Sequence, residues 1–140
     1  MPAAPVLDSF ALLAFLRGEA GDDQVAALLQ KAGEGDAPLH MTELNYAEVK
    51  YMILRKEGAT RWAQVARDLP TLPIEFHAAD RELADLAADF KARVSFSLAD
   101  AFAAALAKQH KAELVTGDPE FKAVEKEIKI AWLATGRTGR

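Results

Sequence analysis

The fold of this chain is decided by residues 97–118, SLADAFAAALAKQHKAELVTGD, which predict a helix followed by a short buried strand. Ser97 is a favourable N-cap, and an alanine-rich apolar run follows until lysines end the helix. The strand ends in a Thr-Gly-Asp-Pro turn. A helix N-terminus and the C-terminus of the next parallel strand lie at the same edge of a sheet. We therefore expect Asp100 and Asp118 to meet at one edge.

The composition is typical of a soluble globular protein with an ordinary core. The chain has 140 residues, 51% hydrophobic and 27% charged, and no apolar run of the length that a membrane span requires. Cysteine is absent, which excludes disulfides, thiolate nucleophiles and cysteine-ligated zinc and is compatible with a cytoplasmic location. The net charge of −4 argues mildly against a broad nucleic-acid surface but leaves room for a local patch. We expect one domain over residues 1–135 and a flexible basic tail at residues 136–140.

The rest of the chain alternates helical and strand patterns. Apolar residues at helical spacing predict helices near residues 9–17, 22–33, 42–57, 60–69 and 79–92, besides the one that begins at Ser97. Thr60 is the predicted N-cap of the fourth helix. Short apolar bursts predict strands near residues 5–8, 39–41, 73–76, 114–116 and 128–132. Alternation of this kind predicts an α/β fold, with helices on both faces of a short-stranded parallel sheet.

Two further acids are expected at the same edge as Asp100 and Asp118. Asp8 ends the first strand, and Glu48 lies in the second turn of the helix after the second strand. Glu48 falls within an apparent apolar stripe of that helix, formed by Leu44, Ala47, Tyr51 and Leu54. A buried ionised carboxylate is costly unless it is paired or bound to a metal. Carboxylates brought this close repel one another, and Mg²⁺ or Mn²⁺ is the natural ion for oxygen ligands.

Each of these acids also has a purely structural interpretation. Asp100 can be an ordinary first-turn acid, Asp118 a turn residue, and either Asp8 or Ser9 a helix cap. Either helix capping or hydrogen bonding to the acids is expected of Thr42, Ser97 and Thr116. We expect Glu43 and Glu120 to be solvated or to form hydrogen bonds near the site. His40, His77 and His110 show no ligand spacing and lie in different segments, so structural or surface roles are expected for them.

Four segments in order resemble the motifs of PIN domains. They are residues 6–9 (VLDS), 42–49 (TELNYAEV), 97–107 (SLADAFAAALA) and 114–121 (LVTGDPEF). Their spacing and the chain length are similar to those of the VapC toxins of type II toxin–antitoxin pairs. Two departures are modest: Pro5 shortens the first strand, and the acidic pI of about 5.4 weakens the expected RNA-binding face.

The resemblance implies a three-layer α/β/α ribonuclease that depends on Mg²⁺ or Mn²⁺. Asp8, Glu48, Asp100 and Asp118 would form its catalytic acidic quartet. Asp8 and Asp100 would bind the metal directly, and Asp118 and Glu48 would bind it or orient its waters. It further implies an RNA substrate, a homodimer and a VapB-like antitoxin that inserts a segment into the acidic pocket. Residues expected to support the acids by hydrogen bonds are Ser9, Glu43, Ser97, Thr116 and Glu120; candidate phosphate contacts are Arg17, Lys50, Arg137 and Arg140.

A second hypothesis comes from a different functional class. The chain could be a non-catalytic interaction module whose acidic pocket receives a basic segment of a partner protein, with an arginine bound in bidentate fashion. Co-purification with a small protein, and no cleavage of any RNA once that protein is removed, would favour this alternative.

Overall fold

The computed structural model describes residues 3–35 and 37–134, and within them the chain forms a five-stranded parallel sheet. The strand order is β3-β2-β1-β4-β5. The strands are β1 (Val6–Leu7), β2 (Leu39–Thr42), β3 (Ile74–His77), β4 (Leu114–Thr116) and β5 (Ile130–Trp132). The basic tail expected at residues 136–140 lies outside the described residues.

Helices cover both faces of this sheet, which confirms the predicted three-layer α/β/α fold. The helices are α1 (Ser9–Arg17), α2 (Asp22–Gly35), α3 (Glu43–Glu57), α4 (Ala59–Asp68), α5 (Arg81–Arg93) and α6 (Leu98–His110), with 3₁₀ segments at Leu69–Thr71 and Pro119–Val124. On one face, Val6 and Leu114 pack against α5 and α6. On the other face, Leu7 and Val115 pack against α1 and α2.

Helix α6 is the central helix of the molecule. It contacts α3, α5 and the strands β1, β2 and β4, and every residue from Ala101 to Ala107 is buried. A helix that is apolar on all sides belongs inside a core, and its alanines let it approach the sheet closely. Ser97 caps it as predicted, because its hydroxyl accepts a hydrogen bond from the Asp100 amide.

The predicted cap of α4 is wrong. Thr60 was expected to cap this helix, but α4 begins at Ala59 and its N-cap is Gly58, which has no side chain to bond the helix amides. Gly58 is also the C-cap of α3 and has φ +92°, in the region that favours glycine. One glycine thus ends α3 and starts α4, which leaves no position for a separate capping residue.

The predicted apolar stripe of α3 is also wrong. The buried residues are Asn45, Val49 and Ile53, whereas Tyr51 and Leu54 are 45% and 37% exposed. The predicted stripe and the buried stripe lie side by side on the surface of the helix. Because Asn45 is polar, the sequence did not indicate that its side of the helix is buried. Glu48 is therefore half-buried beside the packed stripe rather than within it.

No helix within residues 3–35 and 37–134 combines the length and hydrophobicity that crossing a membrane requires.

Candidate active site

The carboxyl ends of β1 and β4 bring two of the expected acids to the same edge of the sheet. The two strands pair in parallel, with Leu7 level with Val115, so Asp8 and Thr116 follow at matching positions. Asp118 lies two residues further along. Asp100, in the first turn of α6, reaches the same edge because the helix precedes β4 and runs back across the sheet.

A third acid joins Asp100 and Asp118. Each of Asp100, Asp118 and Glu120 offers a carboxylate oxygen, and these oxygens lie within 4.8 Å of one another. Glu120 is exposed and stands in the 3₁₀ segment, whose first turn Asp118 caps by accepting a hydrogen bond from the Glu120 amide at 2.9 Å. From sequence Glu120 was placed only among the supporting residues, whereas its carboxylate lies within the acid cluster itself.

Asp8 is the most buried acid of the site, with 1% of its surface exposed. Burial raises its pKa from 3.8 to about 7, and the nearby charges of Asp100 and Asp118 add to this shift. The hydroxyl of Thr116 and the amide of Ala11 act in the opposite direction by donating hydrogen bonds to the carboxylate. The ionised form of Asp8 is therefore disfavoured in the folded protein unless a cation neutralises it.

Asp100 is perturbed in the same direction. Its pKa is raised from 3.8 to about 6, mainly by partial burial and also by the charges of Asp118 and Glu48, against the hydrogen bond from Ser97. The charge of Glu48 acts on Asp100, although Glu48 is not one of the three clustered acids. Glu43 is exposed at the start of α3 and is likewise not one of the three clustered acids.

Thr116 connects the acids of the two strands. Its hydroxyl donates a hydrogen bond to Oδ2 of Asp8 at 2.5 Å and accepts one from the Asp118 amide at 3.0 Å. The residue is completely buried. One side chain thus fixes both the Asp8 carboxylate and the turn that carries Asp118.

Sequence reasoning missed Asn45, which links three of the four motif segments. The residue is fully buried; its Nδ2 donates to Ser9 Oγ at 3.0 Å and to the carbonyl of Ala99 at 3.3 Å. Its Oδ1 accepts from the Thr42 hydroxyl, and Ser9 Oγ donates back to the Asn45 carbonyl. The helices that carry Glu48 and Asp100 are thereby joined to the helix that follows Asp8. The sequence signal for this role is the spacing of Asn45, which lies four residues before the buried Val49 and therefore on the same face of α3.

Two of the four candidate phosphate contacts, Arg17 and Lys50, lie within the described residues. Arg17 is the last residue of α1, at the opposite end from Asp8, and its Nε bonds to Glu57 at 2.9 Å. Arg17 therefore lies away from the acids and is held by Glu57. Lys50 is exposed on α3, with its Nζ 5.5 Å from the centre of the Trp62 ring. The expected contacts Arg137 and Arg140 lie outside the described residues.

Structural or surface roles in separate segments were expected for the histidines, and the structure brings His40, His77 and His110 into one cluster. The strand register that joins them is not visible in the sequence.

The acid cluster has the donor set of a hard divalent cation. Its side chains offer carboxylate oxygens, the ligands that Mg²⁺ and Mn²⁺ prefer, and no imidazole or thiolate stands among the clustered acids. The raised pKa values of Asp8 and Asp100 show that added positive charge would be favourable there. The residues therefore fit a metal ion of this class.

Comparison with known proteins gives one family and many similar folds. The PIN domain family model matches residues 6–127, a span that contains all the acids described above. None of the curated proteins compared with the chain matches it in sequence.

The similar solved structures include proteins of toxin–antitoxin systems. VapBC from Salmonella typhimurium bound to DNA has a TM-score of 0.72 at 14% identity, covering 94% of this chain and 98% of that chain. VapBC2 from Rickettsia felis, bound to a DNA fragment from its promoter, has a TM-score of 0.70 at 16% identity, covering 91% and 96%. VapC20 from Mycobacterium tuberculosis, described as a toxin that cleaves the sarcin-ricin loop, has a TM-score of 0.66 at 15% identity, covering 86% and 94%.

These comparisons confirm the resemblance that the four sequence motifs predicted. The likeness to the solved structures concerns the fold, and the match over residues 6–127 establishes the family. The chain belongs to the PIN domain family.

Proposed function

We propose that the chain is a metal-dependent endoribonuclease and the toxin of a toxin–antitoxin pair. The observation that carries this proposal is the convergence of Asp8, Asp100 and Asp118 at one sheet edge, where two of the three have raised pKa values. Membership of the PIN domain family and the fold shared with VapC20, a toxin that cleaves the sarcin-ricin loop, support the same conclusion.

In this proposal Asp8, Asp100 and Asp118 hold one or two Mg²⁺ or Mn²⁺ ions. Such an ion would lower the pKa of a bound water and stabilise negative charge on the scissile phosphate. Glu120 lies within the acid cluster and the charge of Glu48 acts on Asp100, so either carboxylate can bind the ion or accept a hydrogen bond from its waters. The exposed position of Glu120 also lets it meet the substrate.

The surrounding hydrogen bonds keep the acids in place without supplying chemistry. Thr116 orients Asp8, and Ser97 fixes the first turn of α6 around Asp100. Asn45 and Ser9 hold the helices of the other acids at a constant separation. Carboxylates that repel one another need such restraint before an ion is bound.

RNA is the substrate that we infer. The N-termini of α1, α3 and α6 follow strands or loops at the acidic edge, and helix N-termini favour phosphate groups. Lys50, exposed on α3, is a candidate from the sequence for contacting the RNA backbone.

A protein partner is part of the proposal. The Salmonella and Rickettsia structures are of toxin and antitoxin together, which supports a VapB-like antitoxin for this chain. Tyr51 and Leu54 leave apolar surface on α3, and Leu98 is 53% exposed beside Asp100. We infer that these surfaces serve a homodimer and the antitoxin, in the cytoplasm where RNA and antitoxin are both present.

The acidic pocket also suits the alternative of a non-catalytic interaction module. A partner arginine would neutralise Asp8 and Asp100 as well as a metal ion does, through charge-assisted bidentate bonds. The raised pKa values of these acids favour any cation, so they are compatible with both functions.

Cleavage of RNA by the partner-free chain separates the two. The chain is freed from co-purifying protein by unfolding and refolding, then incubated with total cellular RNA in Mn²⁺ or in excess chelator, and the cut ends are mapped. The nuclease proposal predicts discrete cuts that need Mn²⁺ and disappear in Asp100→Asn. An exposed acid of α5 provides the matched control, since Asp85→Asn should cleave like the unaltered chain. No cleavage under any condition, with tight binding of a small partner, would instead establish the interaction module.

A further inference from the structure

We propose that His40, His77 and His110 form a second metal site, which binds one Zn²⁺ or a similar transition-metal ion and lies apart from the acidic centre. The three rings come from β2, β3 and the last position of α6. They are the only histidines of the chain.

The register of the sheet explains how two of the rings meet. In the parallel pair of β2 and β3, His40 lies level with Glu75. Paired residues share a face of the sheet, and so do residues two apart in one strand. His77, two residues after Glu75, therefore projects from the same face as His40. His40 also pairs with Val6, whose side chain belongs to the core beneath α5 and α6, so this is the face that α6 covers.

The ring geometry is that of ligands around a common point. His40 Nδ1 and His77 Nε2 are 2.8 Å apart, and the centroid of the His110 ring is 4.5 Å from that of His40 and 5.0 Å from that of His77. One nitrogen of each ring lies within 4.8 Å of the others. Two nitrogens that ligate one tetrahedral zinc at about 2.0–2.1 Å stand roughly 3.3 Å apart. Small side-chain rotations would therefore admit the ion.

A hydrogen bond between His40 and His77 accounts for two of the rings. It gives no role to His110, whose ring stacks on His40 with an angle of 23° between the planes. A metal ion engages all three nitrogens at once. Burial and the neighbouring rings hold the pKa values of His40 and His110 below the ordinary value, which favours the neutral form that ligates metals.

Glu75 lies beside His77 and can reach a fourth ligand position by rotation of its exposed side chain. Its Oε2 is 3.7 Å from His77 Nε2, and its side chain is 55% exposed. A carboxylate here can complete a tetrahedral His₃Glu set or hydrogen-bond a metal-bound water. All three rings are only partly buried, so an ion can enter from solvent.

The two centres are well separated and differ in their chemistry. Asp100 and His110 lie ten residues apart on α6, which is about 15 Å along a helix axis. Carboxylates at one end of α6 select Mg²⁺ or Mn²⁺, while imidazoles at the other end select zinc, copper or nickel. Binding at the histidines would tie the edge strand β3 and its neighbour β2 to the central helix, and so stabilise the folded chain.

The test is a zinc titration of the metal-stripped chain, purified without a polyhistidine tag and kept in millimolar Mg²⁺ to occupy the carboxylates. Calorimetry should give one Zn²⁺ per chain, and zinc should raise the midpoint of thermal unfolding. His77→Gln and His110→Gln should each weaken binding by more than about 100-fold, and Glu75→Gln by roughly 10–100-fold. Asp100→Asn should bind zinc like the unaltered chain, which separates this site from the proposed nuclease centre.

Substitution by Co²⁺ keeps the proposal testable if a histidine variant fails to fold. Co²⁺ in a tetrahedral site of nitrogen ligands gives intense visible bands, which the unaltered chain should show and then lose when zinc is added. Absence of those bands, less than one bound Zn²⁺ per chain, or undiminished affinity in a folded His110→Gln variant would overturn the proposal.

Discussion

The hydroxyl of Thr116 donates a hydrogen bond to Oδ2 of Asp8, although the two residues lie 108 positions apart in sequence. The contact exists because β1 and β4 are neighbours in the sheet and end at the same edge. The same hydroxyl accepts from the Asp118 amide. A single buried hydroxyl therefore connects two acids that the sequence separates widely.

Replacing this hydroxyl should weaken both the fold and the site. Thr116→Val keeps the shape of the side chain but removes the donor to a buried carboxylate, which should cost about 1–3 kcal/mol of unfolding free energy at pH 7. The pKa of Asp8 should rise further, since the hydrogen bond from Thr116 lowers it. Urea unfolding measures the first effect, with the exposed Thr60→Val as the control. Equal stability of the two variants would contradict the role assigned to Thr116.

The stability of the metal-free chain should fall as pH rises. The pKa of Asp8 is raised to about 7 from 3.8, so the folded state holds the proton more tightly than the unfolded state does. Its contribution is complete below pH 3.8 and is lost as pH rises through about 7. In excess chelator at pH 8, Asp8→Asn should exceed the unaltered chain in stability by up to about 4 kcal/mol.

The comparison of these two chains isolates Asp8 from the other groups that titrate in the same range. Mg²⁺ should reverse the order, because it stabilises only the chain that binds it. Parallel pH profiles of stability for the two chains would show that the Asp8 carboxyl is not perturbed by folding.

Asn45 should be important for both stability and activity. Asn45→Ala leaves Ser9 and Thr42 without their buried partner and should lower the free energy of unfolding by roughly 2–4 kcal/mol. Because α3 and α6 would no longer be held together at this point, activity should fall even at temperatures where the variant remains folded. Chemical denaturation and cleavage assays check the two effects, with the exposed Gln64→Ala as the matched control.

Gly117 allows Phe10 to pack against the turn before Asp118. A Cβ at Gly117 would collide with Cε1 and Cζ of the Phe10 ring. Phe10 is 38% exposed, so its ring can rotate outwards, and Gly117→Ala should cost only about 1 kcal/mol. In the Phe10→Ala background the same substitution should cost close to nothing. A double-mutant cycle on unfolding free energies checks this, and additive costs would refute the collision.

The sequence predicted those parts of the structure that depend on local signals. Helix α1 spans Ser9–Arg17 as expected, and Ser97 caps α6, because capping side chains and apolar spacing act within one or two turns. The gathering of Asp8, Asp100 and Asp118 at one edge was also predicted, since parallel strands and their connecting helices fix which ends coincide.

The remaining features depend on contacts between distant segments. The buried face of α3 begins at Asn45, whose polarity made Leu44 and Ala47 the more obvious choices from sequence. The histidine cluster depends on the register of β2 and β3 and on the exact length of α6, neither of which a single sequence states. Local patterns found the acids, and only the folded chain revealed the polar network and the second cluster.

Metal-dependent RNA cleavage by the acid cluster can be tested by comparing two variants. Asp100→Asn and Asp85→Asn remove the same charge, one at the sheet edge and one on the exposed face of α5. The cleavage rate of RNA is measured against Mn²⁺ concentration for both, after circular dichroism has shown that both are folded. We expect Asp85→Asn to retain full activity and Asp100→Asn to lose at least about 100-fold, equivalent to roughly 2.7 kcal/mol of transition-state stabilisation. Equal activity of the two variants would contradict the account.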